Sequence, residues 1–273
     1  MSSEAPDAGA PPMEALPPSA RAPWGWREAG LGVVLALALF FVIGVAVVYP
    51  LEARFGKDSV GALFGQAGAV ILLDGGLVAI VYLLASKRGG TWRQVGLRRP
   101  DLPAPSWYAS VRRALSVLVG FSPPWLVWVA LSSLVASFFV IEAYAVVVTV
   151  ADIDVLKPSP QVEQPFFDHR QVLALLAVAV VLTAPFAEEV FFRGFVFGGL
   201  RGVFGLWPAA FVSGFVFSLA HTDVGLMIPF TLVGVILAYT YEKTGSLVTP
   251  ISIHLLFNLT SFLILAFVPG ARG

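Results

Sequence analysis

The chain has 273 residues, 58% of them hydrophobic and 12% charged, with 17 basic and 17 acidic side chains and no cysteine. A soluble domain carries about 25% charged residues, so this composition describes a polytopic membrane protein, and its 29.1 kDa suits one compact helical bundle. A net charge of zero offers nucleic acid no attraction, and the absence of cysteine excludes thiolate catalysis, disulfides and cysteine-ligated metal.

Residues 1–24 place Pro6, Pro11, Pro12, Pro17, Pro18 and Pro23 among alanine, serine and glutamate. Such a stretch cannot bury enough apolar surface to fold alone and reads as a disordered cytosolic tail. It lacks the basic start and short apolar core of a cleaved signal peptide. Residues 25–273 read as a single transmembrane domain.

Spanning about 30 Å of hydrocarbon takes roughly 20 helical residues. Runs of that order lie near 30–50, 67–86, 116–148 and 171–199, and shorter ones near 207–221, 225–241 and 249–268. The third is too long for one span and is broken at Pro123-Pro124. An amphipathic segment from Trp107 to Gly120 along the interface, followed by a span from Trp125, accounts for both features. The expectation is an all-α helical bundle of seven spans, or eight, around a polar intramembrane cavity.

Lys87, Arg88, Arg93, Arg98, Arg99, Arg112 and Arg113 crowd one loop, whereas 151–170 carries Asp152, Asp154, Glu163 and Asp168 against Lys157 and Arg170. The positive-inside rule puts the first loop and the N-terminus in the cytosol and the second loop outside. His169, between Asp168 and Arg170, reads as solvated surface.

Three polar clusters interrupt the apolar C-terminal part: Glu188-Glu189 with Arg193, Phe217 with His221, and His254 with Asn258. Ionisable groups are expensive in lipid and mark working sites. Glu189 and Arg193 are four apart with the acid first, so they share a helical face and can pair. Adjacent buried carboxylates repel unless a cation intervenes. Arg193 can satisfy Glu189, which leaves Glu188 free as a base. Pro185 has no N–H to give, so the carbonyl of Val181 is expected to lose its helical partner, producing a kink. Phe217 and His221 lie one turn apart on one face. Thr249-Pro250 is a helix start, after which His254 and Asn258 share a face and can converge on one substrate oxygen. Gly194 and Gly198, and Ser213-Gly214 on the next helix, allow close helix contact.

These motifs, Glu-Glu-x-x-x-Arg at 188–193, Phe-x-x-x-His at 217–221 and His-x-x-x-Asn at 254–258, resemble the CAAX prenyl protease and bacteriocin-processing family of intramembrane endopeptidases. The resemblance covers about residues 180–262 and places a catalytic core at about 171–268. It implies a wet cavity in which Glu188 and His221 activate water, His254 and Asn258 stabilise the oxyanion, and Glu189, Arg193 and Phe217 support them. The bilayer and a membrane-associated peptide or protein, prenylated in the best-known task of the family, would be the partners, and the cell membrane the location. No tightly bound metal is favoured, although Glu188, His221 and His254 make a set that could hold zinc. A non-catalytic binding or scaffold relative is the alternative. A proton-coupled transporter, using Asp74 and Glu142 as further intramembrane carboxylates, is a third reading.

Overall fold

The computed structural model describes residues 22–100, 124–159 and 162–268, with helices and no strand among them. Residues 1–21 of the expected tail, and the expected interfacial segment from Trp107 to Gly120, lie outside the described residues. In chain order the helices are α1 (Trp26–Phe55), α2 (Val60–Ser86), α3 (Trp92–Val95), α4 (Pro124–Val150), α5 (Arg170–Phe204), α6 (Leu206–Leu219), α7 (Met227–Thr244) and α8 (Val248–Phe267). The product is an all-α, multi-pass membrane bundle.

The described residues give a span count below the seven or eight expected. Among the described residues six helices are long and apolar enough to cross a membrane, and α6, with 14 residues, is not one of them. Its length is about 21 Å at 1.5 Å per residue, against a hydrocarbon core of about 30 Å. Gly205 sets its start, and the turn at Ala220–His221 ends it. Composition made 207–221 read as a span, but chain length does not let it reach across.

The packing of α5 organises the rest. This helix contains two π-helical stretches, Val178–Thr183 and Glu189–Phe197, in which hydrogen bonds skip to the fifth residue. A shifted register leaves carbonyls without helical donors, and in an apolar interior each needs another partner. Side chains provide two: Ser213 Oγ donates to the Phe192 carbonyl at 2.8 Å and Asn258 Nδ2 to Val180 at 2.8 Å, while Trp24 Nε1 adds a second bond, at 2.9 Å, to Phe195 O, which also accepts from Gly198 N. Ala184 N donates to Ala179 O, five residues back. In the same register the donor for Val180 would be Pro185, which has no N–H. The proline's missing bond therefore falls on Val180 rather than Val181, and Asn258 replaces it.

Trp24, placed in the tail by composition, is buried and stacks on Phe195 with ring centroids 5.6 Å apart. A lone indole in a proline-rich stretch gave no periodic signal, yet its N–H reaches the Phe195 carbonyl on the second π stretch of α5.

The basic stretch after α2 folds back beneath α5. Thr91 caps α3 together with Gln94, and Gly96 ends it at φ 115°, a left-handed conformation suited to glycine. Tyr241 Oη donates to Val95 O at 3.1 Å, Leu247 N to Gly96 O at 2.9 Å, and Arg98 Nε to Gly245 O at 2.7 Å. A Cβ on Gly194 would lie 2.6 Å from Val95 Cγ1, so this glycine lets α3 reach the helix.

Helices α6 and α7 meet backbone to backbone: a Cβ on Gly214 would lie 2.6 Å from Thr231 O, whereas one on Gly30 meets nothing within 4 Å. Gly214→Ala is therefore expected to destabilise the protein by about 1–3 kcal/mol through overpacking. Gly30→Ala is expected to be neutral or stabilising by about 0.5–1 kcal/mol. Thermal unfolding of both variants in detergent checks the contrast.

Candidate active site

Glu188 ends a short α-helical turn of α5 and Glu189 opens its second π stretch, so the two side chains leave the helix in different directions. Glu189 points inward and has no exposed surface, as does Arg193. Arg193 Nη1 donates to Glu189 Oε1 at 2.8 Å, and the guanidinium lies over the Phe217 ring at 4.4 Å. The pairing expected from the i, i+4 spacing is present in the structure.

His254 reaches the same oxygen from α8. Its Nδ1 lies 2.9 Å from Glu189 Oε1, while Nε2 faces Glu188 Oε2 at 3.7 Å. A carboxylate only accepts, so Nδ1 carries the hydrogen and directs Nε2 at Glu188. Glu188 keeps 19% of its side chain exposed, against 7% for His254. One imidazole thus stands between two glutamates, fixed by one and presented to the other.

His221 closes α6 at the far side of Phe217. The Phe217 ring lies 4.9 Å from His221 and 5.8 Å from His254 by centroids, edge-on to both. His221 Nδ1 is 3.1 Å from Phe217 O, which fixes the hydrogen on Nδ1 and leaves Nε2 as the free nitrogen. Thr222, the next residue, has φ 54°, a left-handed conformation in which a β-branched residue is strained. The structure thus sets Glu188 against His254, with His221 beyond Phe217.

A cavity of about 30 Å³ lies among His221, His254, Asn258, Phe217, Phe230 and Ser137. That is the space of about one water, with polar partners on one wall. Asn258 shares this wall while its amide holds the Val180 carbonyl. Among the described residues no group of three His, Cys, Asp or Glu side chains converges as a metal would require, and Glu188, His221 and His254 do not meet at one point. No step of the chemistry is therefore routed through a metal.

The two further intramembrane carboxylates separate. Asp74 of α2 is buried and accepts at 2.7 Å from Oγ1 of Thr183, which lies five residues before Glu188. Glu142 is exposed on α4. Sequence patterning marked Asp74 only as an intramembrane acid, because its neighbour Thr183 lies 109 residues away. His169, expected as solvated surface, is half-buried at the start of α5.

Two substitutions separate the structural roles. Arg193→Met leaves Glu189 as an uncompensated buried charge and is expected to cost about 3–5 kcal/mol. Asn258→Leu strands the Val180 carbonyl and is expected to cost about 1–3 kcal/mol. Chemical or thermal unfolding of purified protein measures both, and equal, negligible losses would contradict this account of the site's packing.

Comparison with known proteins bears on the same stretch. Residues 170–260 match the family model described as type II CAAX prenyl endopeptidase Rce1-like. The protein named "Putative membrane peptidase YdiL" of Bacillus subtilis (strain 168) is 28% identical over 95 residues, which is 35% of this chain and 39% of that relative's length. The match therefore spans well under half of the relative. No solved structure matches the chain. The segment similar to the Rce1-like family model, 170–260, carries Glu188, Glu189, Arg193, His221, His254 and Asn258.

Proposed function

We propose that the protein is an intramembrane endopeptidase that hydrolyses a peptide bond of a membrane-associated substrate with water activated between Glu188 and His254. The observation that carries this reading is the placement of His254, whose Nδ1 is held by Glu189 and whose Nε2 is presented to Glu188 at 3.7 Å. Two acceptors at that separation suit a water that donates one hydrogen to each. Its oxygen lone pairs then face outward, toward a carbonyl carbon.

The proposed sequence needs no acyl-enzyme. As the water oxygen bonds to the carbonyl carbon, one of its protons passes to Glu188. The resulting oxyanion faces the cavity wall that carries Asn258, whose amide has a second N–H to donate and where a donor is worth about 10²–10³ in rate. The proton held by Glu188 then goes to the amide nitrogen as the C–N bond breaks, releasing amine and carboxylic acid. Glu189 and Arg193 hold His254 and its tautomer throughout, which makes them positioning groups. Water attack on an amide is slow unaided, and general-base help contributes about 10²–10⁴-fold.

The location proposed is the cell membrane, with the N-terminus and the basic stretch before residue 100 in the cytosol, as the Lys/Arg distribution supports. A lipid-modified peptide is the proposed substrate class, in keeping with the description of the matching family model.

Glu188→Gln keeps shape and loses the base. It is expected to lower cleavage by at least about 10²-fold without changing the unfolding temperature. Peptides from membranes of cells making the wild-type or the Gln variant, compared by mass spectrometry, give the readout. Identical peptide patterns would sink the proposal. His254→Gln is expected to match it, and activity surviving that change would move the base partner to His221. Purified enzyme is expected to keep its activity in chelator, whereas loss restored by zinc would assign a metal to the site.

A further inference from the structure

A second cavity lies away from the candidate active site, between α1 and α2, and encloses about 350 Å³. Its walls are apolar: Phe40, Ile43 and Val48 on one side, Val70 and Leu73 on the other, over a floor narrowed to Ala69. The opening coincides with a π-helical turn of α1, Gly44–Val48, at which Tyr49 N donates to Gly44 O. A Cβ placed on Gly44 meets nothing within 4 Å, so the absence of a side chain there is part of the hollow. At the end of α1 opposite the basic stretch, Tyr49 and Glu52 complete the lining.

The groove is graded along its length. From Phe40 to Glu52 it runs about 18 Å at 1.5 Å per residue, close to the roughly 15 Å depth of one leaflet's hydrocarbon. Its deep end is wholly apolar. Its shallow end carries a tyrosine, the side chain that favours the interface level, and a carboxylate. Glu52 Oε1 accepts from Gln66 Nε2 at 2.8 Å, and a carboxylate has capacity for further donors. An apolar channel one leaflet deep, ending in an anionic acceptor, is the negative image of an acyl chain beneath an amine.

We propose that this groove is a binding site for a phospholipid with a primary-amine headgroup, its acyl chain lying along Phe40, Gly44 and Leu73 and its ammonium held by Glu52. Anionic headgroups without an amine are disfavoured by the same carboxylate. The site does not depend on the peptidase reading, since none of its residues touches the candidate active site.

The experiment titrates the purified full-length protein in detergent with phosphatidylethanolamine or phosphatidylglycerol of identical chains and counts bound lipid by native mass spectrometry. A phosphatidylethanolamine carrying a photoreactive acyl chain then maps the contact. The expected result is a preference of at least about tenfold for the amine lipid and crosslinks to residues 40–48 or 69–73. Glu52→Gln is expected to abolish the preference while chain crosslinks persist. Gly44→Leu, which fills the hollow without meeting neighbours, is expected to abolish both. Equal binding of the two lipids to the wild type, crosslinks confined to other helices, or a preference unchanged in Glu52→Gln would overturn the proposal. The Glu52→Gln arm decides the headgroup claim even if Gly44→Leu fails to fold.

Discussion

A guanidinium with no exposed surface, inside a bundle whose outer faces are hydrocarbon-like, constrains this protein more than any other single group. Moving a charge of that size out of water is tolerable only where a counter-charge and hydrogen bonds receive it. Arg193 finds Glu189 one turn away, and the aromatic face of Phe217 covers its other side. The remaining geometry adapts to that choice. Glu189, once committed to Arg193, offers the same oxygen to His254, and α8 is thereby fixed against α5 at one height and rotation. The reactive edge of the imidazole is then set by a charge it does not touch.

The π register of α5 extends that constraint to the periphery. Each skipped bond frees a carbonyl, and in lipid an unsatisfied carbonyl costs several kcal/mol, so other elements must bring donors. Serine from α6 and asparagine from α8 answer this need, and the indole before α1 adds a second donor to a carbonyl of the same stretch. Irregular backbone at the site is therefore maintained by long-range side-chain bonds. This explains how π turns, ordinarily rare, persist beside a cluster of ionisable groups.

Much of the site was legible in the sequence, because helical spacing carries local information faithfully. The Glu189–Arg193 pair follows from an i, i+4 separation, as does the shared face of Phe217 with His221. What spacing cannot carry is register across helices. The nearest approach of an imidazole to Glu188, that of His254 from α8, is a contact between helices that spacing within either one does not encode. Asn258 was assigned to the substrate by its face alone, although a carbonyl freed by Pro185 competes for the same amide. Hydropathy alone does not separate the 14-residue α6 from a full span, since length and not composition sets it apart. Trp24 was invisible to any periodic argument, being one residue in a stretch of tail-like composition.

That tryptophan gives the outermost described part of the chain a short mechanical path inward. One hydrogen bond joins its ring to the carbonyl of Phe195, two residues beyond Arg193 on the same π stretch. The indole just before α1 is thereby packed directly on the helix that carries both glutamates, with no loop between them.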